Sequence, residues 1–164
     1  MYFLKANDVE AELENNLFED RSKFKYMLFQ LGGETYGTPI LQVREVIENR
    51  APKPVPNSNI AFEGVINLRG EVIGVIDLRK VLKVEPKQSL SILIFDTANG
   101  VMGAVVDRCT AVAEIPEADI DQTGGVSTRE GADYFLGIGK REGGMVTLID
   151  LSRVPQLLNN ATIK

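Results

Sequence analysis

Histidine and tryptophan are missing from this chain of 164 residues, and cysteine occurs once. Without histidine, the usual general base near neutral pH is gone. With a single thiol, Cys109, no internal disulfide can form, in keeping with a reducing compartment. Cys109 stands in the strand-like run Val105-Val106-Asp107-Arg108-Cys109-Thr110-Ala111-Val112 with no base beside it, so it reads as packing rather than as a nucleophile. There is no Gly-Lys-Ser/Thr phosphate loop. The stretch Gly137-Ile138-Gly139-Lys140-Arg141-Glu142-Gly143 fails as a dinucleotide fingerprint, because its third glycine comes one place late and no helix follows. These absences leave no catalytic set, so the chain is expected to be no enzyme and to carry no cofactor.

Basic clusters are lacking as well. A net charge of −5 with no Lys/Arg run argues against nucleic acid as a partner. No apolar run approaches the roughly 20 residues of a membrane span. The opening Met1-Tyr2-Phe3-Leu4-Lys5 has no signal-peptide core, so a cytoplasmic protein without direct membrane insertion is expected. What is present is 44% hydrophobic residues, enough for one globular domain or two small fused barrels.

The most informative stretch runs from Gly64 to Arg79, where two Val/Ile-rich runs flank a break at Arg69, Gly70 and Glu71. This is a β-hairpin pattern, with glycine supplying the turn. Both runs are apolar at nearly every position, which predicts strands buried on both faces or wrapped into a small barrel. Asn67 interrupts the first run and is read as a buried amide bracing the hairpin backbone. Arg69, at the tip, can present a rigid fork of donors to another protein's carboxylates or carbonyls, and is the leading contact residue.

Around the hairpin, the spacing of Val9, Leu13 and Leu17 predicts an amphipathic, acidic helix over 7–18, capped by Asn7 with Glu10 three residues on. Short strands follow: 24–31, a turn at Gly32-Gly33-Glu34, and 35–40 ending near Pro39. The segment 41–48 fits a helical turn or a strand, and 49–59, with prolines at 52, 54 and 56, is a connector. Asp77 reads as the N-cap of a single helical turn.

The second half replays the first. A shift of 73 superposes 62–81 on 135–154 without a gap, matching Phe62 with Phe135, Gly70 with Gly143, and Ile76-Asp77-Leu78 with Ile149-Asp150-Leu151. A shift of 66 places Phe29, Gly37, Val46 and Glu48 on Phe95, Gly103, Val112 and Glu114. The difference predicts extra residues in the loop over 116–133. Two related units of about five short strands each point to paired small barrels, with function in the groove between them.

One metal pattern competes. Counting from Asp119, oxygen ligands fall at Asp119, Asp121, Thr123 and Ser127, with Gly124 at the sixth place and Glu130 at the twelfth, the register of a calcium-binding EF-hand loop. Pro116 just before it and Gly131-Ala132 just after deny it the two flanking helices, so no metal is expected. A ligand- or calcium-sensing double barrel using 119–130 stands as the alternative.

The Asn67-Leu68-Arg69-Gly70 turn, the Val-Ile-x-Val-Ile-Asp-Leu-Arg strand after it, and Tyr36-Gly37 followed by Val43-x-Glu45-Val46 resemble the CheW-like family of bacterial chemotaxis coupling proteins over about 24–154. The resemblance implies a mainly β fold: two intertwined five-stranded SH3-like β-barrels with a few short helices. The expected layout is an N-terminal helix or arm at 1–22, a CheW-like domain at 23–155 with units near 24–88 and 89–155 whose elements can be exchanged, and a tail at 156–164.

It further implies a non-catalytic, stand-alone adaptor in membrane-associated receptor arrays. Its partners would be the cytoplasmic tip of methyl-accepting chemoreceptors and the regulatory domain of a CheA-type histidine kinase. Carried over by position, the binding groove would hold Val43, Glu45, Arg69 and Val112, with Asn67, Gly70, Asp77 and Asp150 as structural support. Gly74 stands where the family often has proline, and Asn57-Ser58 replaces a more proline-rich approach to the hairpin; both are scaffold departures.

Overall fold

The computed structural model describes residues 24–122, 132–155 and 158. The expected helix over 7–18 and, apart from residue 158, the tail at 156–164 lie outside the described residues. The strands are β1 (Lys25–Leu31), β2 (Glu34–Pro39), β3 (Val43–Glu48), β4 (Phe62–Leu68), β5 (Glu71–Asp77), β6 (Ser91–Thr97), β7 (Gly100–Val106), β8 (Arg108–Glu114), β9 (Ile120–Asp121), β10 (Phe135–Arg141) and β11 (Gly144–Ile149). A short helix, α1 (Leu78–Leu82), follows β5, and 3-10 turns occupy Ile40–Gln42, Glu117–Asp119, Ala132–Tyr134 and Leu151–Arg153. The ambiguous 41–48 stretch is thus both things, a 3-10 turn and then a strand.

Two sheets result, β8-β1-β2-β11-β10-β9 and β3-β6-β7-β5-β4. Each curls around its own apolar filling. The first, barrel one, encloses Tyr26, Leu28, Ala113, Ile115, Val146 and Leu148; the second, barrel two, encloses Ile66, Leu68, Ile73, Val75, Ile92, Ile94 and Val105. A third and larger cluster lies between them, centred on Phe29 and Phe95, both with no exposed surface. Central strands therefore face apolar surroundings on both sides: on β6, Ile92 and Ile94 fill barrel two while Leu93 and Phe95 fill the inter-barrel core. That is why they read as continuous apolar runs.

The repeat is carried into three dimensions with an exchange. Strands β1 and β2 pair with β8 and β11 from the second half of the chain, and β6 and β7 pair with β3 and β5 from the first. Each unit donates its first hairpin to the other's sheet, so barrel two is the continuous stretch β3 to β7 and no sheet boundary falls at residue 88. The last hairpins match closely. Register shifts fall between Phe62 and Gly64 in one and between Phe135 and Gly137 in the other. Gly64 and Gly137 hold φ of 134° and 144°, and a Cβ at Gly64 would stand 2.1 Å from the Lys53 carbonyl oxygen. Glycine is required there because a neighbouring segment crosses the bulge. Thirteen residues separate β3 from β4 and twenty separate β8 from β10, which locates the surplus between β8 and β10.

Two expectations for the β4–β5 hairpin are corrected. Asn67 is exposed, not buried, because it lies on the outward face of the hairpin: Ile66 and Leu68 on either side of it point into barrel two, and Val72 opposite it is 68% exposed. The loop contains only Arg69 and Gly70, at φ 51° and 87°, so the arginine itself takes a left-handed conformation beside the glycine. Both positive angles fit the inverted turn that matches strand twist.

Candidate functional site

Arg69 lies at the β4–β5 tip and Glu45 on β3, strands at opposite edges of the same sheet. Curling brings them together: Arg69 Nη2 donates to Glu45 Oε2 across the two edges of the sheet. Arg50 Nη1 adds a bond to the Asn67 carbonyl oxygen at 3.4 Å. The hydrogen bond it donates to Glu45, and then the Glu45 charge, push the Arg69 guanidinium above its ordinary value. The Arg69 side chain remains 69% exposed. Its fork is thus engaged within the chain and also accessible from outside. Asn67 braces the turn by accepting the Gly70 amide at 2.8 Å through Oδ1.

Val43 and Val112 belong to different sheets, and each lies on a face turned toward the inter-barrel core. Val43 is opposite Phe95 and packs on the inter-barrel core; Val112 is opposite Met27, which packs on that same core. Opposed residues share a face, so both valines border the seam between the barrels. Val46, opposite Leu93 on the same face as Val43, adds a 37% exposed side chain, and Val112 is 52% exposed. Glu45, opposite Ile94, turns instead toward barrel two and Arg69. The arrangement is an apolar rim beside an exposed ion pair, suited to a helix or strand with apolar and charged positions in sequence. Val46 was matched to Val112 by the repeat, the signal that could have added it to the contact set.

Asp77 and Asp150 cap the turns after the two final hairpins, accepting from Arg79 N at 2.9 Å and Ser152 N at 3.0 Å. Their surroundings differ. Arg79, 3% exposed, is held between Asp77 and Asp107, with Nε to Asp77 Oδ1 and Nη1 to Asp107 Oδ1 both at 2.6 Å. Burial lowers its pKa, but the bonds to Asp77 and Asp107 outweigh that, and the guanidinium ends above its ordinary value. Sequence reasoning missed Arg79 and Asp107, since Arg-Lys-Val-Leu looks like a solvated helical turn. Asp150 instead accepts from Gln42 Nε2 at 2.7 Å.

Of the metal pattern, Thr123 and Glu130 lie outside the described residues. Asp119 ends a 3-10 turn and Asp121 pairs with Ile138 in a two-residue strand, so no helix enters at Asp119 as an EF-hand requires. Among the described residues no group of His, Cys, Asp or Glu could hold a metal ion, and no helix is long and apolar enough to cross a membrane. Burial pushes the Cys109 thiol up to about 11, against a small opposing bond from Ser91.

Exchanged double barrels around a shared apolar core define a module of the SH3-like kind. The model of the CheW-like domain matches residues 25–158, and the chain belongs to that family of chemotaxis scaffold proteins. It is 31% identical over 134 residues to the chemotaxis protein CheW of Thermotoga maritima, covering 80% of this chain and 87% of that protein. It is 27% identical to the CheW of Treponema pallidum over 139 residues, 80% of this chain and 82% of that one. The crystal structure of the scaffolding protein TtCheW from Thermoanaerobacter tengcongensis superposes with a TM-score of 0.72 at 31% identity, covering 80% and 92% of the two chains.

Proposed function

We propose that this chain is a non-catalytic adaptor that couples the cytoplasmic tips of chemoreceptors to the regulatory domain of a CheA-type histidine kinase within membrane-associated arrays. The observation that supports it best is the apolar rim of Val43, Val46 and Val112 beside the Glu45–Arg69 pair, on a family scaffold with no catalytic set among the described residues. The valines supply area to bury against a receptor helix; the ion pair selects its register. A carboxylate on that helix competes with Glu45 for the exposed Arg69 fork, so recognition exchanges one ion pair for another rather than desolvating a lone charge.

Calorimetric titration tests both halves. The isolated regulatory domain of a CheA-type kinase from the same organism is expected to bind saturably. Arg69→Glu should weaken binding of a receptor-tip fragment about tenfold or more while leaving kinase binding unchanged. Failure of every such kinase to bind, or a receptor affinity indifferent to Arg69→Glu, overturns the respective half.

A further inference from the structure

The chain crosses between the barrels twice, from β2 to β3 through the 3-10 turn Ile40–Gln42 and from β7 to β8 through Asp107 alone. Both crossings are pinned to a capping aspartate. Gln42 donates to Asp150 at 2.7 Å, a neutral amide to a half-buried carboxylate. Asp107 is reached through Arg79, which is fixed to Asp77, to the Gln88 carbonyl oxygen at 2.5 Å and to Ser89 Oγ at 2.7 Å.

Asp107 is also where the two barrels meet along the backbone. Its amide donates to the Gln30 carbonyl of β1 in barrel one, and its carbonyl accepts from Leu90 beside β6 of barrel two. Its second carboxylate oxygen accepts the amides of Gly32, in the β1–β2 turn, and Lys87, both at 3.1 Å. A hinge at this crossing would need Asp107 to change its backbone angles. The carboxylate anchored by Arg79 opposes that change, at 1% exposure and with little water to substitute for lost bonds.

The geometry points to Arg79 as a positioning residue that sets the orientation of barrel one relative to barrel two, acting through Asp107. In the adaptor reading, on which this consequence alone rests, that orientation fixes how a receptor bound at the seam is presented to the kinase. Arg79→Lys then leaves each partner's separate binding intact and lowers kinase activation in the three-component assembly.

The orientation itself is tested without any partner. Val72 and Met145 occupy equivalent places on the two final hairpins and are 68% and 72% exposed, so Val72→Cys with Met145→Cys, in a Cys109→Ala background, carries one spin label on each barrel. Electron–electron resonance should give one narrow distance distribution. Adding Arg79→Lys, which keeps the charge and loses the fork, should broaden or split it. A control pair within barrel two, Val72→Cys with Glu48→Cys, should stay narrow.

An unchanged inter-barrel distribution overturns the proposal. So does equal broadening of the control pair, which would make Arg79 a general stabiliser. Where Arg79→Lys does not fold, Asp107→Asn is measured in the same way. If neither variant folds, the node belongs to the core and the positioning role is overturned.

Discussion

The two barrels share a strand plan and differ in the chemistry laid over it. Barrel two carries the Glu45–Arg69 pair across its edges; the equivalent places in barrel one hold Ala111 and Glu142, which cannot form that pair. Barrel two anchors its capping aspartate to a buried arginine, whereas in barrel one the arginine's place is taken by Ser152 and the aspartate turns to Gln42 and to the exposed Arg153. Backbone requirements are therefore common to both halves, down to Gly64 and Gly137 at matching bulges. Among the described residues, the buried ion pairs, those of Arg79 with Asp77 and Asp107, sit on barrel two and its crossing. A repeated fold keeps the residues that shape it twice and needs the residues that recognise or fasten something only once.

The comparison can be pressed hardest where the barrels are most alike. Phe29 and Phe95 occupy equivalent, fully buried places in the inter-barrel core. Phe29→Ala and Phe95→Ala should each cost about 3–5 kcal/mol in urea unfolding, and the two values should agree within about 1 kcal/mol. A large disparity would show that the halves do not share one core.

The capping aspartates should part company. Asp77→Ala leaves Arg79 buried with only Asp107 as a charged partner and should cost about 3 kcal/mol, the low end for breaking a buried pair. Asp150→Ala removes a cap, the Gln42 bond and an exposed pair with Arg153 that adds little, and should cost about 1–2 kcal/mol. Equal costs would mean that the buried arginine adds nothing.

Alkaline stability should report on barrel one. The folded chain keeps the Cys109 thiol protonated to about 11 against an ordinary value of 9.0, so the unfolded chain loses this proton first. Its stabilising contribution is whole below about pH 9 and declines as pH rises toward 11. Tyr26 and Tyr36, both raised above 10.0 chiefly by burial, add to the decline at the upper end. Cys109→Ala should flatten the fall between pH 9 and 10. Its counterpart in barrel two, Val43, cannot titrate, so Val43→Ala should lower stability without changing that slope.

Smallest of all is the stability effect of Arg69→Ala, expected to leave the thermal midpoint unchanged because the pair is solvent-exposed. A measurable drop would mean that Glu45 and Arg69 hold the barrel shut rather than serve recognition.

Much of the fold was legible because repeated strands obey local rules. The β4–β5 hairpin, the turn at Gly32 and Gly33, the cap at Asp77, the paired units and the added residues between β8 and β10 all follow from glycine placement, capping chemistry and the 66- and 73-residue shifts. The exposure of Asn67 is not legible in the sequence, because a run that is apolar at nearly every position does not say which of its two faces points outward. Arg79 and Asp107 were not seen at all, since their burial depends on residues 28 apart in the chain meeting at one crossing.

By itself, then, the sequence determined the strands and their turns, which depend on residues within about ten positions of one another, and the doubling, which shows as the same local pattern written twice. Only the tertiary structure decided that first hairpins are exchanged between sheets, that Glu45 meets Arg69 across a closed barrel, and that a guanidinium rather than an amide pins one of two crossings. Those outcomes depend on long-range pairing, where the same apolar pattern satisfies either sheet and shared burial of both chooses the partner.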